Sequence, residues 1–322
     1  MTASLLSVRD LTVHFPTDTG VLRAVDGVSF DLASGEILGI VGESGSGKSA
    51  TGSAILGLID ATGSRVGGSV RFEGRELVGL PNARMREIRG QSISMIFQDP
   101  GMALNPVLTI GRQLDLVLRA HKQLPRSAAR SACIDALRRV GLSRPEERLA
   151  AYPHQLSGGQ RQRVAIAAAL MHRPKLIIAD EPTTALDVST QAQILAEMRA
   201  RIAQDGSALI WISHDLAVVS SLSPRIAVMY AGRLVEEGPT AIVLRKPRHP
   251  YTRGLLDSLL GEAKPGTELT PIPGTPATAA DAGCSFAPRC RRADDACRIA
   301  PPLTREGAVS YRCHHPLASA AA

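Results

Sequence analysis

Gly42-Glu-Ser-Gly-Ser-Gly-Lys48-Ser49 follows the short apolar run 36–41 and opens a stretch of helix formers over 48–58. Strand, Gly-rich loop and helix in that order are the context in which a backbone cradles phosphate. Gly42, Gly45 and Gly47 free the chain for positive φ, so that its N–H groups turn inward toward anionic oxygens at the start of the helix. The cradle runs over Gly42, Ser44, Gly45, Ser46, Gly47, Lys48, Ser49 and Ala50. Within it Lys48 is the group that reaches the terminal phosphates, and Ser49 offers a hydroxyl to Mg²⁺, a hard cation that takes oxygen ligands. Alone, the pattern identifies a nucleotide binder and nothing narrower.

Two further stretches narrow it. Leu176-Ile-Ile-Ala-Asp180-Glu181 is an apolar strand ending in two carboxylates. Asp180 is expected to hold the Mg²⁺ through water, and Glu181 to contact the attacking water as general base. Upstream, Leu156-Ser-Gly-Gly-Gln160 opens a helix through 161–171, with Ser157 as its N-cap and an exposed, positive helix end behind it. Two glycines after a cap weaken a helix unless something must approach its backbone.

A phosphate loop, an LSGGQ signature and a strand ending in Asp-Glu, in this order, resemble the nucleotide-binding subunit of an ABC transporter, and the resemblance spans most of the chain. It implies that Ser157, Gly158, Gly159 and Gln160 serve the γ-phosphate held by a partner subunit, so that two ATP molecules are sandwiched between two chains. It also assigns roles to residues that would otherwise be ordinary polar groups. Gln98, after Ser94-Met-Ile-Phe97, matches the Q-loop that contacts Mg²⁺ and water. His214, in Trp211-Ile-Ser-His214, matches the switch histidine. Asp187 ends a stretch like the D-loop, and Phe15 corresponds to the aromatic on which adenine stacks, although core packing explains it nearly as well.

Strand and helix signals alternate as in an α/β fold, a P-loop NTPase core of the ABC ATPase type. Residues 5–13 and 21–32 read as an antiparallel patch, and buried strands are expected at 36–41, 175–179, 208–213 and 225–230, the last turning through Ala231-Gly232 into 233–237. Strand signals vanish over about 99–153, where helical stretches at 110–120 and 126–140 indicate an inserted helical subdomain. The ATPase domain is expected to close near 240, leaving 241–322 as an extension with a helix at 250–260, a Pro/Gly/Thr/Ala linker at 261–283 and a small Cys-bearing module.

Composition limits the class. At 322 residues the chain can bury roughly 75% of its unfolded surface. Hydrophobic residues at 44% and charged residues at 21% are globular values. The longest apolar run, 164–171, is too short for a membrane span, which needs about 20 residues. No secretory signal is read at the N-terminus. The net charge of +7 comes mainly from scattered Arg with few aromatics, so nucleic acid is not an expected partner.

Of five cysteines, Cys284, Cys290, Cys297 and Cys313 fall near the C-terminus, and Cys133 sits in a helical stretch as a small core residue. Four thiols in a short, Pro-rich segment point to metal rather than disulfides. Together with Phe97-Gln-Asp-Pro-Gly-Met-Ala-Leu-Asn-Pro106 and His249-Pro-Tyr-Thr-Arg-Gly-Leu-Leu256, this tail resembles the dipeptide and oligopeptide importer branch of the family. That branch implies a [4Fe–4S] cluster on the four cysteines. Cys₄ ligation suits Zn²⁺ as well, with His314 or His315 able to replace a thiolate. The resemblance further implies a second ABC ATPase subunit, two permease subunits and an external substrate-binding protein, with this chain peripheral on the cytoplasmic face of the cell membrane. An importer of nickel, glutathione or another small solute stays open, as does a soluble ABC ATPase, although neither long coiled coils nor a second ATPase unit is read in the chain.

Overall fold

The computed structural model describes residues 4–18, 20–59, 62–183, 186–258, 272–275 and 282–318. The elements begin with β1 (Ser4–Thr17), β2 (Gly20–Ala33), β3 (Ile37–Val41), α1 (Lys48–Ile55), β4 (Arg65–Phe72), β5 (Arg75–Glu76), α2 (Asn82–Ile88) and β6 (Ile93–Ile96). Helices follow: α3 (Pro100–Ala103), α4 (Ile110–Arg119), α5 (Arg126–Arg139), α6 (Pro145–Arg148) and α7 (Gly158–Leu170). Then come β7 (Leu176–Asp180), α8 (Val188–Asp205), β8 (Ala208–Ser213), α9 (Leu216–Leu222), β9 (Arg225–Tyr230) and β10 (Arg233–Pro239). The chain continues through α10 (Thr240–Arg245), α11 (Pro250–Asp257), β11 (Thr304–Glu306) and β12 (Val309–Tyr311). Most of the linker expected at 261–283, the end of the helix expected at 250–260, and Thr184 and Ala185 lie outside the described residues.

The chain divides into two compact units. Unit 1 holds Met1–Ala33, Ile37–Gly79 and Trp211–Ala322. One of its sheets is antiparallel, in the order β2-β1-β4-β5, with Val8 opposite Phe30 on one side and Val70 on the other. Leu6, Val8, Leu11, Val13, Val25 and Leu32 are buried along it. The other runs β11-β12-β10-β9-β3, with β9 parallel to β3. All five residues of β3 are buried, as the continuous apolar run requires of a strand covered on both faces. Ala231 and Gly232 both have positive φ, the turn chemistry that joins β9 to β10 as a hairpin.

The compact units do not divide at residue 240. The extension stays with unit 1 because β12 adds to the edge of β10, Tyr311 opposite Glu236, and β11 then adds to β12. Phe286 supplies a second anchor, packing with Tyr230, Tyr251 and His249 at ring centroid distances of 5.3, 5.4 and 5.7 Å. Buried aromatics of this kind contribute about 0.5–1.5 kcal/mol per pair beyond their area.

Unit 2 holds Ser34–Glu36 and Leu80–Ile210. Its sheet contains β6 parallel to β7, and the first residues of β8 lie beside β7. Every regular element described between β6 and β7 is helical. In α4 the buried residues Ile110, Leu114 and Leu118 recur every four positions, and in α5 Ala129, Cys133 and Leu137 do the same, giving each helix one apolar stripe. Arg163 of α7 ties this layer together, donating to the Val140 carbonyl at 2.5 Å and to Glu197 of α8 at 2.7 Å. Cys133 is a buried core residue, and burial pushes its thiol up to about 11. No helix among the described residues is long and apolar enough to cross a membrane.

Candidate functional site

The phosphate loop has the backbone its sequence calls for. Gly42, Gly45 and Gly47 take φ of 157°, 78° and 103°. A Cβ at Gly42 would lie 2.1 Å from the Met229 carbonyl oxygen and one at Gly47 would lie 2.2 Å from that of Ala24. Both contacts are with backbone, so neither position accepts a side chain. Ser44 and Gly45 at the crest are exposed, whereas Ser46 and Lys48 are buried. The Lys48 Nζ donates to the carbonyls of Gly42 at 2.8 Å and Glu43 at 2.9 Å, which holds the ammonium inside the loop. Ser49, exposed, and Ala50 continue into α1. Phe15 on β1 is half-buried and stands opposite Leu22.

His214 is exposed directly after β8. Its position is set by the next residue, because the Asp215 carboxylate caps α9 by accepting from the N–H groups of Ala217 and Val218.

In unit 2 the two carboxylates at the end of β7 differ in surroundings. Asp180 is 6% exposed and Glu181 is partly exposed. Glu181 has φ of 45°, a left-handed conformation costing a non-glycine residue about 1–3 kcal/mol, and such residues concentrate at functional sites. Gln98 Nε2 donates to Glu181 Oε2 at 3.1 Å, so the structure brings these two sequence candidates together.

The signature residues build a capping box. Ser157 Oγ accepts from the Gln160 N–H, and Gln160 Oε1 accepts from the Ser157 N–H. Ser157 and Gly158 are exposed, and a Cβ added at Gly158 would meet nothing within 4 Å. At Gly159 it would approach Thr190 at 3.2 Å. Asp187 is the N-cap of α8, a role its sequence position ahead of a helical stretch permits and the sequence reading passed over. The Ser189 hydroxyl, then the N–H and hydroxyl of Thr190, hold its carboxyl well below the usual carboxylate range.

Three residues to which the sequence gave no individual role meet at the phosphate loop. The Glu43 N–H donates to the Tyr251 hydroxyl at 2.8 Å, and the Glu43 carboxylate receives both terminal nitrogens of Arg289 at 2.6 and 3.0 Å. Arg289 directly precedes Cys290. The cysteine segment and the loop are therefore joined by an ion pair. None of the four tail cysteines is in a disulfide. Burial pushes the Cys313 thiol up to about 11, and Cys284, Cys290 and Cys297 act on it electrostatically, so the four are neighbours. Among the described residues, the one trio of ligand atoms lying within 4.8 Å of one another is that of Asp294, Cys297 and His315.

Comparison with known proteins agrees with this layout. Residues 25–184 match the ABC transporter family and residues 235–297 match the oligopeptide/dipeptide transporter C-terminal region. The oligopeptide transport ATP-binding protein OppD of Haemophilus influenzae is 48% identical over 302 residues, 93% of each chain. The dipeptide transport ATP-binding protein DppD of the same organism is 45% identical over 317 residues, 98% of this chain and 96% of its own. An ATP-binding cassette solved as a dimer in a post-hydrolysis state with ADP and Pi is 29% identical, with a TM-score of 0.66 over 73% of this chain and 98% of its own. Signature motifs, cassette fold and near full-length identity converge, and the chain belongs to the ATP-binding subunits of ABC transporters of the peptide-import type.

Proposed function

We propose that this chain hydrolyses ATP to drive an ABC importer of dipeptides or oligopeptides. The observation that carries the reading is the 48% identity to an oligopeptide transport ATP-binding protein across 93% of both chains, which takes in the C-terminal extension as well as the ATPase.

In this reading the loop from Gly42 to Ala50 binds the phosphates, Lys48 leaves its carbonyl partners to meet them, and Phe15 stacks on adenine. Ser49 and Asp180 contribute a hydroxyl and a carboxylate, with the Gln98 amide oxygen as third donor, a set that suits Mg²⁺. When bound, the ion neutralises charge on the β- and γ-phosphates. Glu181, oriented by Gln98, takes the proton of the attacking water, and His214 touches the γ-phosphate. Ser157, Gly158, Gly159 and Gln160 close over nucleotide held by a second ATPase subunit, with Asp187 beside the same junction. The likeness to a cassette solved as a dimer supports this pairing.

The helical stretch about 99–153 acts as the subdomain that passes closure to two permease subunits, and an external binding protein supplies the peptide. Residues 1–240 form the ATPase and 241–322 the extension in functional terms. The chain works as a peripheral subunit on the cytoplasmic face of the membrane.

The four tail thiols fit a metal group in their chemistry and proximity. We favour a [4Fe–4S] cluster over Zn²⁺, as the resemblance of the tail to the peptide-importer branch implies. Cys284, Cys290, Cys297 and Cys313 would hold it, and its contribution is to cross-link the segment. Iron and acid-labile sulfide in anaerobically purified protein test this, and zinc without iron overturns it.

The transport reading is tested by reconstituting the chain with its permeases and binding protein in vesicles. ATP turnover stimulated by peptide, together with peptide accumulation, is expected. Turnover that candidate peptides leave unchanged overturns the peptide assignment.

A further inference from the structure

Glu43 occupies the second position of the phosphate loop and is tethered three ways. Its N–H donates to the Tyr251 hydroxyl, its carbonyl accepts from Lys48, and its carboxylate sits in the fork of Arg289. The fork is itself fixed. Arg289 is 6% exposed, its Nε donates to the Pro273 carbonyl at 2.7 Å, and its guanidinium carbon lies 5.8 Å from the centre of the Tyr230 ring. Tyr230 in turn packs against Tyr251 at 4.6 Å and against Phe286, which lies between Cys284 and Arg289 in the chain.

Two physical consequences follow. A carboxylate in a loop that must receive polyphosphate repels it unless a cation neutralises it, and Arg289 is that cation. A bidentate guanidinium–carboxylate pair also fixes direction, which a point charge does not. Residue 43 is thereby ordered before nucleotide arrives, which spares binding the entropy of ordering it then.

From this geometry we propose that Arg289 is a positioning residue for ATP binding, through which the C-terminal cysteine segment braces the phosphate loop. The proposal rests on the ATP-binding reading of that loop. Because coupling between two sites is reciprocal, the state of the cysteine segment and the affinity for nucleotide must influence each other by one factor.

The test is MgATP binding by the full-length chain, measured by calorimetry alongside thermal unfolding of each variant. Replacing Arg289→Gln removes a charged hydrogen-bonded pair and is expected to weaken binding about tenfold. Arg289→Lys keeps the charge, loses the fork and should recover part of the loss. In the assembled transporter the KM for ATP should rise while kcat is unchanged. A folded Arg289→Gln protein that binds within about twofold of the parent overturns the proposal even if its melting temperature falls. Should that variant not fold, Tyr251→Phe removes only the hydroxyl that accepts from the Glu43 N–H. Weakening of about threefold or more supports the brace, and unchanged affinity overturns it. A parent protein that binds no MgATP would instead defeat the underlying ATPase reading.

Discussion

Gln98 and Glu181 are joined side chain to side chain, Nε2 of Gln98 donating to Oε2 of Glu181 at 3.1 Å across 83 residues of sequence. Each stands just beyond the end of a strand, Gln98 after β6 and Glu181 after β7, and those strands are parallel neighbours. The sheet register thus sets the orientation of the carboxylate assigned to water activation, and the left-handed backbone at Glu181 turns it out of the strand.

Replacing Glu181→Gln removes the proposed general base and leaves the phosphate loop intact. Turnover is expected to drop by about 10²–10⁴-fold, with MgATP affinity held within a few-fold. Steady-state hydrolysis and equilibrium binding on the same preparation check this, and full turnover in the variant would end the catalytic assignment.

Gly158 separates fold from partner function. A Cβ there meets nothing within 4 Å among the described residues. Gly158→Ala should therefore leave stability unchanged or raise it by up to about 1 kcal/mol, since alanine is the better helix former. If the partner's nucleotide must approach that backbone, the same variant should lose ATP-dependent dimerisation and hydrolysis. Light scattering with MgATP in a Glu181→Gln background reads the dimer, and normal dimerisation would show that the signature faces no nucleotide.

Arg163 is predicted to matter through stability. It is nearly buried, bound to the Val140 carbonyl and to a Glu197 side chain that is 28% exposed. Arg163→Met should destabilise by about 2–3 kcal/mol, below the range for a fully buried pair because water reaches Glu197. Adding Glu197→Gln should restore part of it. Denaturant midpoints of the two single variants and the double close the cycle, and strict additivity would show that the pair is not coupled.

What could be read from the sequence was local or periodic. Strand, loop and helix around Lys48 lie within twenty residues and carry their own punctuation, and β8 falls on the expected 208–213 because its apolar run is bounded by polar residues. The strands β11 and β12 had no such signal. Thr304–Glu306 and Val309–Tyr311 are three residues each and gain their conformation from pairing, β12 with β10 and β11 with β12, so nothing in their own composition announces it. The bond between Glu43 and Arg289 spans 246 residues and leaves no periodic trace. Its partner Tyr251 could be read only as part of His249-Pro-Tyr-Thr, a stretch whose resemblance to one branch of the family gave no physical reason for its composition. The structure supplies one: His249 caps α11, Tyr251 receives the loop N–H, and both pack on Phe286.

That same histidine gives a prediction about pH. His249 is 1% exposed, its Nδ1 accepts from the Tyr251 N–H, and burial lowers its pKa from 6.5 to about 3. Between those values the unfolded chain binds the extra proton and the folded chain does not, so stability falls as pH drops. The contribution is complete above about pH 6.5, and by pH 5 the loss amounts to about 2 kcal/mol. His249→Asn retains a capping acceptor that does not titrate. It should be less stable than the parent at pH 7.5, where the smaller side chain leaves space beside Phe286, yet flatter between pH 7.5 and 5. Urea unfolding of both proteins across that interval measures the difference in slope, and parallel curves would place the acid sensitivity elsewhere.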